Sequence, residues 1–262
     1  SITSILTSNV NAKISDTINN QQTYSFGPSN NPLWISVGAG TNTISVSYNG
    51  SSWIGLGTTI FSTSGNAVTW NGLMWVSVGA GTNIIAYSYN GINWTGLGSS
   101  IMFSTSGLGI VWTGTNFVAT GNGTTNTIAY SSDGINWTGL GSTILYIGNS
   151  VAVNGNIIIA SGTIGGSINN SLAYSTNTTQ WTGLGSTIFS TQGNGIVWSG
   201  DKFIATWQGT NTLAYSLNGT TWTGLGTTVF TTSGQCVAWN GIRFVAVGSG
   251  TNTLAYSSNG IV

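Results

Sequence analysis

Four-stranded antiparallel sheets, six of them set around one axis, are what this sequence predicts, and three observations carry the prediction. The phrase Val46-Ser47-Tyr48-Asn49-Gly50-Ser51-Ser52-Trp53 recurs at 87–94, 130–137, 174–181 and 215–222 and, cut short, at 256–262. Its serines (Ser47, Ser88, Ser131, Ser175, Ser216, Ser257) step by 41, 43, 44, 41 and 41 residues, about the length of one propeller blade. Between the copies, short runs rich in Val, Ile, Tyr and Trp alternate with Asn-Gly punctuation, as strands joined by tight turns do. The expected fold is all-β, a six-bladed β-propeller in one domain over 1–262. Its blades fall near 9–61, 62–103, 104–146, 147–190, 191–231 and 232–262, the last completed by residues 1–8.

The second repeat justifies the elements in order. Residues 66–70 read as a first strand that ends at the turn Asn71-Gly72, and 74–78 as the next. A third strand covers 84–89, and Asn90-Gly91 marks a hairpin because both residue types tolerate positive φ. Trp94 opens a fourth strand running toward Ile101.

The sixth copy has no Trp to open its fourth strand. Thr3-Ser4-Ile5-Leu6-Thr7-Ser8 resembles Ser186-Thr187-Ile188-Phe189-Ser190-Thr191, so the N-terminal strand is expected to complete the last blade. Residues 9–32, which hold both prolines, depart most from the repeat and read as an altered first inner strand followed by a long excursion.

Composition narrows the chemistry. The acidic residues are Asp16, Asp133 and Asp201, the basic ones Lys13, Lys202 and Arg243, and there is no His or Glu. General acid–base catalysis relies on groups that exchange protons near neutrality, and glycoside hydrolysis on two flanking carboxylates. Asp133 and Asp201 occupy different places in different repeats, so no catalytic residue is assigned and the chain is expected not to be an enzyme. No metal site or cofactor is expected, since His ligands and multiple Cys are missing. Phosphate recognition draws on Lys and Arg patches, so nucleic acid is not an expected partner. No apolar run approaches the roughly 18 residues of a membrane helix, so no membrane insertion is expected either. Cys236 stands where sibling repeats carry Ala67, Gly109, Ser150 and Gly195, and reads as a small buried residue.

Ser131-Ser132-Asp133-Gly134-Ile135-Asn136-Trp137 resembles the Asp-box, or BNR, repeat of sialidase-like β-propellers, one residue shorter than the family pattern. Asn49, Asn90, Asn177, Asn218 and Asn259 stand where that family usually has Asp, and Thr178 replaces the Gly. The resemblance implies a structural role for these six residues, on the hairpin between the third and fourth strands. It does not extend to sialidase activity, which in that family needs an arginine triad and a Tyr/Glu pair. The phrase at 136–144 also resembles repeats in uncharacterised proteins of large DNA viruses, which implies a virion or extracellular setting.

Trp53, Trp94, Trp137, Trp181 and Trp222 recur at one position and read as packing between sheets, against the alternative of sugar-stacking platforms. Departures from the repeat are more informative. Trp207 replaces a Gly found in sibling repeats (Gly38, Gly79, Gly121, Gly162, Gly248) and is expected in a loop projecting from one face, either as a ligand platform or as cover for a local gap. Asn66, Asn149, Asn194 and Gln235 share one level of the first strand with Leu108, where an amide ring would hold water, an ion or a polar ligand. The leading function is a non-catalytic recognition or assembly module with a glycan or protein partner. A glycan-binding lectin and a purely structural, self-associating coat or fibre component are the alternatives.

Overall fold

The computed structural model describes residues 33–99 and 102–261 and, as backbone strands, 12–15 and 21–26. The described residues form strands and turns with no helix, in repeated antiparallel sheets of β-propeller type. In the first repeat β1 (Ala12–Ser15), β2 (Gln21–Phe26), β3 (Trp34–Val37), β4 (Ile44–Ser47) and β5 (Ile54–Gly55) pair in sequence order. The second has β6 (Ser64–Trp70), β7 (Trp75–Ala80), β8 (Ile85–Ser88) and β9 (Thr95–Gly96). The third has β10 (Ser106–Trp112), β11 (Phe117–Asn122), β12 (Ile128–Ser131) and β13 (Thr138–Gly139). The fourth has β14 (Ile147–Val153), β15 (Ile158–Thr163), β16 (Leu172–Ser175) and β17 (Thr182–Gly183). The fifth has β18 (Gln192–Trp198), β19 (Phe203–Gln208), β20 (Leu213–Ser216) and β21 (Thr223–Gly224), and the sixth β22 (Ser233–Trp239), β23 (Phe244–Ser249) and β24 (Leu254–Ser257).

The fourth strand is shorter than the sequence suggests. In the second repeat Gly98 takes φ +91°, a left-handed conformation that ends the regular ladder after Thr95–Gly96. The hydrogen bonds continue irregularly, Leu97 N–H to Ile85 O and Ile84 N–H to Gly98 O.

The excursion over 9–32 resolves differently from the sequence reading. The register Phe26↔Trp34 matches Trp70↔Trp75, so β2 is the inner strand of the first repeat, and β1 is an extra strand on its far side. Gln22 lies four residues before Phe26, as Asn66 lies four before Trp70. The proposed partnering of residues 1–8 with the last repeat lies outside the described residues.

Each inner strand lies beside the next, β6 by β10, β10 by β14, β14 by β18 and β18 by β22, with β1 beside β22 and β2 beside β6. The core sits between neighbouring sheets. One sheet offers a face such as Val76, Val78 and Ile85, the next answers with Phe117, Ala119 and Ala129, and a buried plug, Phe103, closes the layer. Phe61, Leu145, Phe189 and Phe230 fill the same plug position in other repeats. Burying one such aromatic side chain contributes roughly 1.5–3 kcal/mol.

Trp207 requires a correction. It is not on a projecting loop but within β19, 0% exposed, with its ring stacked on Phe189 at 4.0 Å and 15°. Its strand partner is Gly193, where an added Cβ would fall 1.9 Å from the indole, so a bare backbone makes room for the ring. Its Nε1 has no hydrogen-bond partner among the described residues, a cost that the stacking offsets. Trp207 is therefore core, and the platform reading falls. Cys236 is buried, as expected for a small residue on a crowded strand.

Candidate functional site

The amides predicted to share one level do so because of a backbone irregularity. In the second to sixth repeats the pairing of first and second strands skips one residue, between Gly65 and Ala67, Gly107 and Gly109, Gly148 and Ser150, Gly193 and Gly195, and Gly234 and Cys236. The skipped residues are Asn66, Leu108, Asn149, Asn194 and Gln235. A bulge leaves its extra residue out of the ladder and re-aims the side chain. Asn66 Nδ2 donates to Gly107 O at 2.7 Å, Asn194 Nδ2 to Gly234 O at 2.7 Å, and Asn149 Nδ2 to Gly193 O, each acceptor in the following inner strand. These side chains are clasps from one sheet to the next. Leu108 has no amide to give, and Gln235 donates within its own strand to Ser233 Oγ at 3.2 Å. Where the sequence suggested a ligand ring, each of these amide nitrogens already donates at least one hydrogen bond to the protein. The Oδ1 atoms of Asn149 and Asn194 accept no hydrogen bond among the described residues and remain available to a donor.

The six turns share one chemistry. Ser88 Oγ accepts from Gly91 N–H at 2.8 Å and donates to Asn90 Oδ1, which accepts from the N–H groups of Ile92 and Asn93 at 3.0 and 2.8 Å. Ser47 with Asn49, Ser131 with Asp133, Ser216 with Asn218 and Ser257 with Asn259 repeat the serine's two bonds, and Ser175 donates to Asn177 Oδ1 without accepting from Thr178 N–H. The indole Nε1 atoms of Trp94, Trp137, Trp181 and Trp222 donate to the carbonyl of the residue after the Asx, locking the turn to the strand that follows. Thr178 takes the glycine position at φ 70°, the one described non-Gly residue with positive φ.

Of these six turns, the third alone has an ionisable side chain at the Asx position, Asp133. Its carboxyl is held well below the usual carboxylate range, first by the Asn136 side chain and then by the Asn136 and Ile135 N–H groups. Asp201 is lowered by its hydrogen bond from Lys202 at 2.6 Å and by Ser199. Both stay ionised at neutral pH, neither is poised to exchange a proton there, and they belong to separate hairpins. Among the described residues, no three of His, Cys, Asp and Glu lie together.

Because each sheet is a meander, the hairpins between its first and second strands and those between its third and fourth project at the same end. At that end Tyr48 is 47% exposed and Tyr89 64%, each just before the Asx of its turn, and Leu73 tips the hairpin of the second repeat. Tyr89 meets the half-buried Tyr87 edge to face at 5.9 Å. The third and fourth repeats carry Ser132 and Thr176 at the tyrosine position, and Thr115 and Asn156 at the leucine position. One end of the molecule is thus aromatic and apolar over the first two repeats and polar over the next two. The sequence held this signal in the comparison of repeats, but Tyr48 and Tyr89 sit inside the shared phrase and pass for part of it.

No protein-family model matches the chain, and no curated protein matches it. Among solved structures it is similar to virginiamycin B lyase from Staphylococcus aureus, with a TM-score of 0.72 and 14% identity over 97% of this chain and 86% of that one. A streptogramin B lyase gives a TM-score of 0.72 at 12% identity, covering 96% and 85%. A gluconolactonase from Xanthomonas campestris gives 0.56 at 11%, covering 95% and 94%. These likenesses correct the expectation that the chain is not an enzyme: its architecture is shared with a lyase and a gluconolactonase and gives no ground for excluding catalysis. What the chain shares with them is the fold, repeated antiparallel sheets of β-propeller type.

Proposed function

We propose that the chain is a six-bladed β-propeller module for recognition, which takes an uncharged partner on its turn end. The carrying observation is the pair of exposed tyrosines, Tyr48 and Tyr89, on rigid Asx turns of adjacent repeats. Aromatic rings fixed by packed strands present contact area at little conformational cost, and a Tyr hydroxyl adds a donor and an acceptor. The surrounding Asn, Ser and Thr groups match sugar or peptide polar groups in the same neutral currency. With charged residues at 2%, steering by long-range charge has no part in this encounter. A glycan is the first partner class to test and a protein surface the second, in the virion or extracellular setting that the turn phrases imply. The six copies of the Asx turn support the blade count, and their geometry supports kinship with Asp-box repeats.

Tyr48→Ser and Tyr89→Ser install the residue that Ser132 already shows the turn accepts, so folding should be preserved. On a glycan array the double variant should lose the signal of the parent chain. Equal binding by both would remove the turn end from consideration.

A further inference from the structure

We propose that Asn71 and Asn154 are sites of spontaneous covalent modification: in the folded chain their side-chain amides leave as ammonia and a carboxylate takes their place. Asn-Gly recurs at two kinds of hairpin in this molecule, and the two treat the same dipeptide in opposite ways. Asn71-Gly72 and Asn154-Gly155 tip the hairpins from β6 to β7 and from β14 to β15, and Asn240-Gly241 is the copy in the sixth repeat. Asn49-Gly50, Asn90-Gly91 and Asn218-Gly219 lie instead in the Asx turns between third and fourth strands.

The reaction is intramolecular. The main-chain nitrogen of the glycine, deprotonated by solvent base, attacks Cγ of the asparagine. The new C–N bond closes a cyclic imide as the Cγ–Nδ2 bond breaks, and ammonia departs with a proton taken from solvent. Water then opens either C–N bond of the imide. One opening gives Asp and the other isoaspartate, which carries the main chain through the side-chain carbon. Negative charge develops on Oδ1 during the attack, so N–H donors aimed at that oxygen lower the barrier. Both kinds of hairpin supply them. Asn71 Oδ1 accepts from Leu73 N–H at 2.9 Å and Met74 N–H at 2.8 Å, and Asn154 Oδ1 from the N–H groups of Asn156 and Ile157 at 3.0 and 2.9 Å. Asn90 Oδ1 accepts a like pair from Ile92 and Asn93.

What separates them is the nucleophile. In the Asx turns the glycine N–H is already donated, Gly50 to Ser47 Oγ, Gly91 to Ser88 Oγ and Gly219 to Ser216 Oγ, each at 2.8 Å. These glycines are also packed: a Cβ on Gly91 would meet Leu33 and Ile35, and one on Gly219 would meet Ile157 and Ile159. A nitrogen so held keeps its proton and cannot swing onto Cγ. Gly72 and Gly155 are exposed, their N–H groups donate no hydrogen bond among the described residues, and no described atom lies within 4 Å of where a Cβ would stand. Both repeats have neighbouring sheets on either side, so this openness belongs to the hairpin tips themselves. Each conversion adds one negative charge to a chain whose formal net charge is zero.

The test incubates the folded chain in mildly alkaline buffer and maps the Asn-Gly peptides of successive samples by mass spectrometry against the starting material. Asn71 and Asn154 should convert to Asp and isoaspartate roughly tenfold faster, or more, than Asn49, Asn90 and Asn218. In the chain unfolded by urea the five should convert at similar rates. A variant carries the chemistry to a new place. Thr113 and Gly114 form the same hairpin in the third repeat, with Gly114 at φ +100° and as open as Gly72, so Thr113→Asn installs the residue that Asn71 shows the hairpin accepts. It should convert as fast as Asn71, while Asn90 in the same sample stays an amide. Persistence of both amides in the folded chain, equal conversion at all five sites, or an inert Thr113→Asn variant overturns the proposal. So does a rate difference that survives in urea, which would belong to local sequence and not to the fold. The reaction needs no partner, so its outcome is distinguishable from that of the recognition reading.

Discussion

Ile204 of the fifth repeat and Val245 of the sixth hold the same place on the second strand of their sheets, yet Ile204 is buried and Val245 is 41% exposed. The contrast continues along the third strand. Leu213 and Tyr215 are half-buried, whereas Leu254 is 64% and Tyr256 72% exposed. The local sequences, Thr212-Leu213-Ala214-Tyr215-Ser216 and Thr253-Leu254-Ala255-Tyr256-Ser257, are identical. What differs is the neighbour. The fifth sheet's face is met by Val237, Phe244 and Ala246 of the sixth, in one apolar cluster, and the sixth sheet's face meets no such cluster among the described residues. In a row of adjacent sheets a strand's own residues make a face apolar, and the next sheet decides whether that face leaves water.

Removing the fifth repeat's anchor should break the comparison most. Trp222→Ala should cost about 3–5 kcal/mol, as large aromatic deletions in cores do. Chemical denaturation checks it, and a change under about 1 kcal/mol would show that the vacated space relaxes shut. Trp207→Gly, which restores the sibling residue, should still cost about 3 kcal/mol or more, because the stacked ring fills the space over Gly193. A mild loss would mean that the neighbouring Phe189 repacks into the gap.

A matched pair sharpens the comparison. Ile204→Ala should cost about 2–4 kcal/mol as a core truncation, and Val245→Ala less than about 0.5 kcal/mol as a surface one. Equal costs would mean that the exposed face of the sixth repeat is covered in solution. The smallest effect concerns pH. Asp133 and Asp201 have folded values below the ordinary carboxyl value, so their contribution is complete above about pH 4 and is lost as pH falls through their folded values. With no His or Glu, thermal midpoints should stay flat between pH 5 and 8 and fall only in strong acid. Asp133→Asn should leave the midpoint at pH 7 nearly unchanged, since Asn fills this position in the sibling turns, and should reduce the acid loss.

Much of this was legible before any coordinates. The spacing of 41 to 44 residues, the Asn-Gly hairpins and the alternation of apolar residues specify antiparallel strands, and the recurrent Trp packs on the core at Trp94, Trp137, Trp181 and Trp222, whereas Trp53 is 38% exposed. The amide level was legible too, but not its use: Asn66, Asn149 and Asn194 sit on bulges, and a bulge is a property of pairing register that one strand's residues do not display. Trp207 was misplaced because an aromatic in a Gly position suggests a projecting loop unless the opposing residue, Gly193, is known to be across from it. Tyr48 and Tyr89 were hidden within the repeat phrase. The exclusion of enzyme function from composition failed for a different reason: residue types bound the chemistry of a site, not the uses of a scaffold.

The sequence by itself determined the strand periodicity, the turn chemistry and the identity of the sheet faces, because these depend on contacts between residues a few positions apart. Tertiary structure alone decided which apolar faces are covered, where the bulged amides reach and how Trp207 is housed. Those outcomes depend on residues tens of positions away, where burial and pairing are set by what the neighbouring sheet places opposite.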